Sequence, residues 1–306
     1  MSKLDNSRIS KHLGQISEYK DQYDPSLLVR EPRSNNREHL DIQDDNLPFV
    51  GFDTWNAYEV SALTNNGLPV AGVAKIVYPC DSTYIVESKS IKLYFNSFNM
   101  YKCGATTEAV AKFITDRASK DLSALLETDV RVHIASAGGT NTPHDIFPGE
   151  VYETLEHSID QQQLNALQLN QYSESPDLLD FAEIGAEYQN YEQRFHSALL
   201  KSNCRVTSQP DWGDIYVYIK GSQPVDPTSL LKYLVSFRDE CHFHEEICET
   251  VFKRLKDIFI PTELCVTCLY ARRGGIDINP VRATSRDLVS DVLVDPTAIH
   301  RKTLKQ

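Results

Sequence analysis

Ser90-Ile91-Lys92-Leu93-Tyr94-Phe95-Asn96-Ser97-Phe98 and Ser229-Leu230-Leu231-Lys232-Tyr233-Leu234-Val235-Ser236-Phe237 are the stretches that decide the fold, because the second repeats the first at a constant offset of 139 positions. Serine, tyrosine, serine and phenylalanine coincide, and Phe113 and Phe252 keep the same offset. The flanking patterns repeat too. Residues 54–78 alternate apolar and polar around Asn65-Asn66-Gly67, residue types that tolerate positive φ, so a β-hairpin is expected. Helical patterns over about 90–99 and 108–126 follow, then a strand over 130–135.

In the second half, residues 204–208 and 215–219 read as a hairpin, with Gln209-Pro210-Asp211-Trp212-Gly213 as its turn. Asp226-Pro227 reads as a helix start, with a capping carboxylate and proline at the first position. A second helix is expected over about 243–258 and a strand over 264–271. Strand, strand, helix, helix, strand therefore occurs twice, the mark of a duplicated module. Each module should be an antiparallel sheet with helices packed on one side, an α+β fold. The divisions are an N-terminal extension (1–45), a first module (46–150), an acidic connector (151–195) and a second module (196–306).

Composition narrows the function. The 306 residues carry 31 Lys plus Arg against 43 Asp plus Glu, a net charge of −12 that disfavours binding a nucleic-acid backbone. Residues 150–193 hold ten acidic residues and no Lys or Arg, while Lys89, Lys92, Arg272, Arg273 and Arg282 lie near the motifs described next, where they could serve a small anionic ligand. No stretch has the length and apolarity of a membrane helix, and residues 1–10 lack a secretion signal's apolar segment, so a cytosolic location is expected. Seven scattered cysteines fit reduced thiols better than a disulfide framework.

Three motifs carry chemistry. In Ile85-Val86-Glu87-Ser88-Lys89-Ser90-Ile91-Lys92-Leu93-Tyr94 a carboxylate, two hydroxyls and two lysines gather at an apolar strand end; Glu87 and Ser88 also read as a plain helix start. Ser202-Asn203-Cys204-Arg205-Val206-Thr207-Ser208-Gln209-Pro210-Asp211-Trp212-Gly213 places a cysteine seven residues before an aspartate. A cation or donor beside Cys204 would favour its thiolate, although a strand cysteine also reads as a small core residue. A hairpin turn would return Asp211 to Cys204 beside Trp212, and desolvation there would raise its carboxyl pKa and suit it to deliver protons. Asp214 is the competing carboxylate. Phe243-His244-Glu245 is the third motif, and Glu245 with Glu246 also reads as an exposed helix face near Lys253 and Arg254.

In order and spacing, these motifs resemble those of the NADPH-dependent 7-cyano-7-deazaguanine reductases of queuosine biosynthesis in their two-module form, over about residues 46–282. The resemblance implies tandem tunnelling-fold (T-fold) modules that close into barrels by self-association, here expected as a homodimer, with sites between modules or subunits. It implies that Cys204 attacks the nitrile of a 7-deazapurine, that Asp211 supplies protons, and that two hydrides from NADPH reduce the resulting thioimide to an amine. Val86, Glu87, Ser88, His244 and Glu245 become the substrate-binding residues. A carboxylate suits a guanine-like edge because ring N–H and exocyclic amine offer two donors to its two oxygens. His244 either holds the substrate or shares in proton transfer. Ser88, Lys89, Arg273 and Gly274 match the NADPH-contacting positions, with Lys92 and Arg272 as weaker candidates. Ala271-Arg272-Arg273-Gly274-Gly275 is a credible phosphate clamp, and no G-x-G-x-x-G supports a Rossmann site instead.

No metal is expected, although Cys241, His244 and Cys248 have one-face helical spacing and Cys265-Val266-Thr267-Cys268 is a C-x-x-C. In a strand that spacing sends Cys265 and Cys268 to opposite faces. Two alternatives stay open: a zinc-dependent GTP or pterin ring hydrolase on the same fold, and a non-catalytic purine-binding module.

Overall fold

The computed structural model describes residues 22–136, 139, 141–183 and 190–306; the first part of the expected extension and 184–189 of the connector lie outside the described residues. Within residues 22–45 the chain forms β1 (Arg30–Pro32) and α1 (Ser34–Arg37). The first module runs β2 (Val50–Thr64), β3 (Pro69–Pro79), β4 (Tyr84–Val86), α2 (Ser88–Asn96), β5 (Lys102–Gly104), α3 (Thr107–Leu126) and β6 (Arg131–Ser136). The connector holds β7 (Glu153–Thr154) and α4 (Gln161–Ala166). The second module runs β8 (Tyr191–Cys204), β9 (Pro210–Gly221), α5 (Pro227–Val235), β10 (Cys241–His242), α6 (His244–Phe259), β11 (Glu263–Tyr270) and β12 (Ile276–Ala283), with α7 (Asp291–Val294) after it.

The duplication extends to local hydrogen bonding. Glu87 and Asp226 are both helix N-caps, Glu87 accepting from the N–H groups of Lys89 and Ser90 and Asp226 from that of Ser229. β2 and β8 carry bulges at matching places, between Ala57 and Val60 and between Ser197 and Leu200. Each strand also ends beside a short parallel partner, β5 or β10. Each module is preceded by a proline-led 3-10 turn, Pro25–Leu27 and Pro176–Leu178.

Among the described residues the two modules share one ten-stranded sheet, in the order β10-β8-β9-β11-β12-β2-β3-β6, with β5 on β2 and β7 on β8. The sequence reading has no β12, yet this strand is the seam: it pairs antiparallel with β11 and with β2, from Ile276 opposite Ala57 to Ala283 opposite Val50. All eight of its residues are buried, including the polar Asp277, Asn279 and Arg282.

Helices α2 and α3 cover one face of the first module's strands through Ile91, Tyr94, Phe95, Ile114 and Leu122, and α5 and α6 cover the second module through Leu230, Leu234, Val251 and Phe252. The opposite face buries Cys265, Leu269, Val281 and Leu293 in a separate cluster. Alternation along β11 thus sends Cys265 and Cys268 to different cores, as their strand spacing requires.

Residues 22–45 are wedged between the modules by charge. Arg33 reaches Asp53 at 2.5 Å, Arg37 reaches Glu249 at 2.8 Å, and Arg282 bridges both acids at 2.8 Å. All five side chains are buried. Arg282, one of the cations considered for an anionic ligand, is therefore committed to this network.

The second hairpin differs from its expected form. Its strands are longer, Cys204 ends β8 rather than beginning a strand, and the connection is 205–209, with Ser208 at φ 55°. Backbone bonds from Cys204 N to Gln209 O (2.8 Å) and Ser208 N to Cys204 O (2.9 Å) close it. Pro210 begins β9, a position where its missing N–H is tolerated. Asp211 consequently lies in a strand opposite Ser202, not in a turn.

Candidate active site

Cys204 ends β8 at the edge of a cavity of about 390 Å³ between the modules. Its strand neighbour in β10 is His242, whose ring nitrogens meet Glu240 at 3.1 Å and Glu246 at 2.8 Å. Burial alone would lower the His242 pKa, but the two carboxylates hold it up to about 9, leaving an imidazolium on the cavity wall.

Asp211 is 3% exposed. His244 Nε2 stands 3.6 Å from its Oδ2, and the Arg273 guanidinium donates to its Oδ1 and, at 3.3 Å, to Thr207 Oγ1. Burial raises the Asp211 pKa, but His244 and Arg273 outweigh it and hold the carboxyl below its ordinary value. The expected elevation is thus overturned, because strand alternation turns Trp212 to the other face, where it is 39% exposed, and puts cations against the carboxylate instead. By the same alternation Asp214 leaves this cavity and lies 3.6 Å from Lys305.

His244 and Glu245 open α6, and the His244 ring packs on Tyr270 at 4.0 Å between centroids. Glu245 lines the cavity with Oε1 lacking a hydrogen-bond partner among the described residues. Burial first, then the nearby Asp53 charge, pushes its carboxyl up to about 7. Glu246 does different work: it accepts from the Phe243 N–H at 3.3 Å and pairs with Arg205 at 3.2 Å. The exposed-face reading of these glutamates fails, since both are buried while Lys253 pairs with Asp257 and Arg254 with Glu174.

From the first module, Val86 ends β4, and Glu87, Ser88 and Lys89 follow at the cavity. Glu87 accepts from Lys89 N at 3.0 Å and Ser90 N at 2.7 Å, so the helix-start reading and the site reading describe the same carboxylate. Lys92 lies one turn further on, 3.1 Å from Glu59. Across from it, Gly274 and Gly275 adopt φ of +59° and +79° in the β11–β12 turn. A Cβ on Gly275 would meet the mobile end of the exposed Glu59 side chain at 2.7 Å, so it is the positive φ that favours glycine there. Arg272 turns away and stacks on Tyr58 at 4.0 Å.

One cavity therefore gathers Cys204, Asp211, Val86, Glu87, Ser88, Lys89, His244, Glu245, Arg273 and Gly274. Phe243 of the third motif joins them, as do Trp55, His242, Ile276 and Ile278, which were not singled out. The two isoleucines belong to the unrecognised β12; their alternation after Gly274-Gly275 is the signal that could have found them. The proposed helical face of Cys241, His244 and Cys248 is not formed, because Cys241 lies exposed in β10 while Cys248 is buried against Val266 O at 3.4 Å.

Residues 19–134 match the family described as "Nitrile reductase, 7-cyano-7-deazaguanine-reductase N-term", and residues 210–288 match the one described as "QueF-like protein". The chain is 38% identical over 274 residues to an NADPH-dependent 7-cyano-7-deazaguanine reductase of Legionella pneumophila (strain Lens), covering 89% of each. A solved structure, the apo form of the archaeosine synthase QueF-Like, overlaps 32% of this chain and 94% of its own at 16% identity, with a TM-score of 0.28.

Proposed function

The chain belongs to the 7-cyano-7-deazaguanine reductase family, and on that premise we propose that it reduces the nitrile of 7-cyano-7-deazaguanine to the 7-aminomethyl group, in the pathway to queuosine in tRNA. The reading rests above all on one observation: a thiol, a buried carboxylate with an adjacent imidazole, and two further buried carboxylates share one cavity with the cations at its rim.

Cys204 Sγ adds to the nitrile carbon and a proton goes to nitrogen, giving a thioimide. Asp211 and His244, which share the cavity with the thiol, move the protons at that nitrogen. When bound, NADPH supplies a hydride to the carbon in each of the two reductions. After the first, the C–S bond breaks to release the thiol and leave an imine; the second gives the amine. Two hydrides and two protons are consumed in total. Glu87 and Glu245 read the guanine-like edge from opposite modules, and the Oε1 of Glu245 has a free acceptor position for it.

The rim fits a phosphate-bearing cofactor. Lys89, Lys92 and Arg273 supply cations, and the positive-φ turn of Gly274 and Gly275 lets backbone approach an anion without a Cβ in the way. Ser88 completes that side. No helix among the described residues is long and apolar enough to cross a membrane. We place the enzyme in the cytosol, as a homodimer without a nucleic-acid partner.

The test is anaerobic incubation with NADPH and the nitrile, with mass analysis of the product. The reading requires two NADPH oxidised per aminomethyl product; a hydrolysed ring or unchanged nitrile overturns it.

A further inference from the structure

Arg273 already donates to one anion, Asp211, at the cavity where a cofactor phosphate is assigned to it. We propose that it is shared between the Asp211 carboxylate and a cofactor phosphate, so that cofactor binding frees Asp211 to take up the proton it delivers. The inference rests on the assignment of Arg273 to the cofactor made above.

The geometry makes the exchange one-sided. Asp211 is buried in β9, with 3% of its side chain exposed, whereas 37% of the Arg273 side chain is exposed and can move outward. Arg273 sits immediately before Gly274 and Gly275, in a turn whose other wall carries Lys92, 3.4 Å from where a Gly274 Cβ would lie. A phosphate between Arg273 and Lys92 would draw the guanidinium away from Asp211.

Besides Arg273, His244 from α6 and Tyr270 from β11 face Asp211, and Cys204 from the end of β8 and the Thr207 hydroxyl from the turn meet the Arg273 guanidinium. Tyr270 and Thr207 are neutral near pH 7, and Cys204 as thiolate would add negative charge. With Arg273 gone, His244 is the remaining counter-charge, and burial then favours the protonated carboxyl. The same guanidinium meets both Asp211 and Cys204, and its charge favours the anionic form of the Asp211 carboxylate. Arg273 is thus a positioning residue for proton supply as well as a cofactor contact.

Linkage makes this measurable, because two ligands that compete for one group must weaken each other equally. Calorimetric titration of NADP+ into the full-length protein at about pH 5, in buffers of different ionisation heat, reads affinity and proton uptake together. Asp211→Asn removes the competing anion and should tighten NADP+ about tenfold, while Arg273→Gln should weaken it by a similar factor. Wild type should take up more protons on binding than either variant. Equal or weaker NADP+ binding by Asp211→Asn, or equal proton uptake in all three proteins, overturns the inference while leaving the cofactor contact intact. Unchanged NADP+ affinity in Arg273→Gln overturns that contact itself, and the inference with it. Should Asp211→Asn fail to fold, proton uptake by wild type against Arg273→Gln decides.

Discussion

Glu87 and Asp226 stand 139 positions apart and do the same structural job, each closing the first turn of its module's first helix with a carboxylate. They differ in outlook, since only Glu87 lines the cavity. The duplicated helix cap thus faces the cavity in one copy and not in the other.

That difference separates two substitutions. Asp226→Ala and Glu87→Ala should each cost about 1 kcal/mol of stability, the usual loss for an N-cap. Nitrile affinity should fall about tenfold or more for Glu87→Ala and stay unchanged for Asp226→Ala. Denaturant midpoints and calorimetric titration check both, and equal affinity losses in the two proteins would remove Glu87 from the site.

Glu245 sets a pH dependence whose sign follows from burial. Its carboxyl is pushed up to about 7 from an ordinary 4.5, so between those values the folded protein holds a proton that the unfolded chain has released. The resulting stability is fully present below the lower value and is lost as pH rises through the upper one, by at most about 1.4 kcal/mol per pH unit. Glu245→Gln cannot titrate and should lose less stability across that window. Urea midpoints measured at several pH values test it, and parallel profiles for wild type and variant would contradict the assignment.

Cys204 should be captured by the nitrile without any reductant. Incubation with 7-cyano-7-deazaguanine alone should add the full substrate mass to the peptide containing Cys204, and Cys204→Ala should show neither adduct nor NADPH oxidation. An active wild-type enzyme with no adduct would refute the proposed nucleophile.

The network below the cavity sets a larger effect. Glu249 accepts from Arg37 and Arg282 and lies 3.8 Å from Arg33. Glu249→Ala would leave buried guanidinium groups with too little negative charge, at a cost of about 3–5 kcal/mol. Chemical denaturation should show that loss; a change below about 1 kcal/mol would mean that the network relaxes around the gap.

The sequence by itself determined the duplicated order of elements, the two first helices with their caps, and which motif residues were expected together, as they are found at one cavity. Those features are local: helix periodicity, a capping side chain and a motif are all written within a few neighbouring positions. Tertiary structure alone decided that β12 fuses two modules into one sheet, because its pairing partner lies more than 200 residues away at Ala57 and no local pattern records that pairing. It also decided that Asp211 belongs to a strand and that Glu245 faces the cavity while Glu246 caps α6. Arg33 and Arg37, in a stretch with no readable chemistry, became the charged wedge between modules only through Asp53 and Glu249. A side chain's charge state and duty depend on which distant groups burial brings against it, and local sequence does not record those distances.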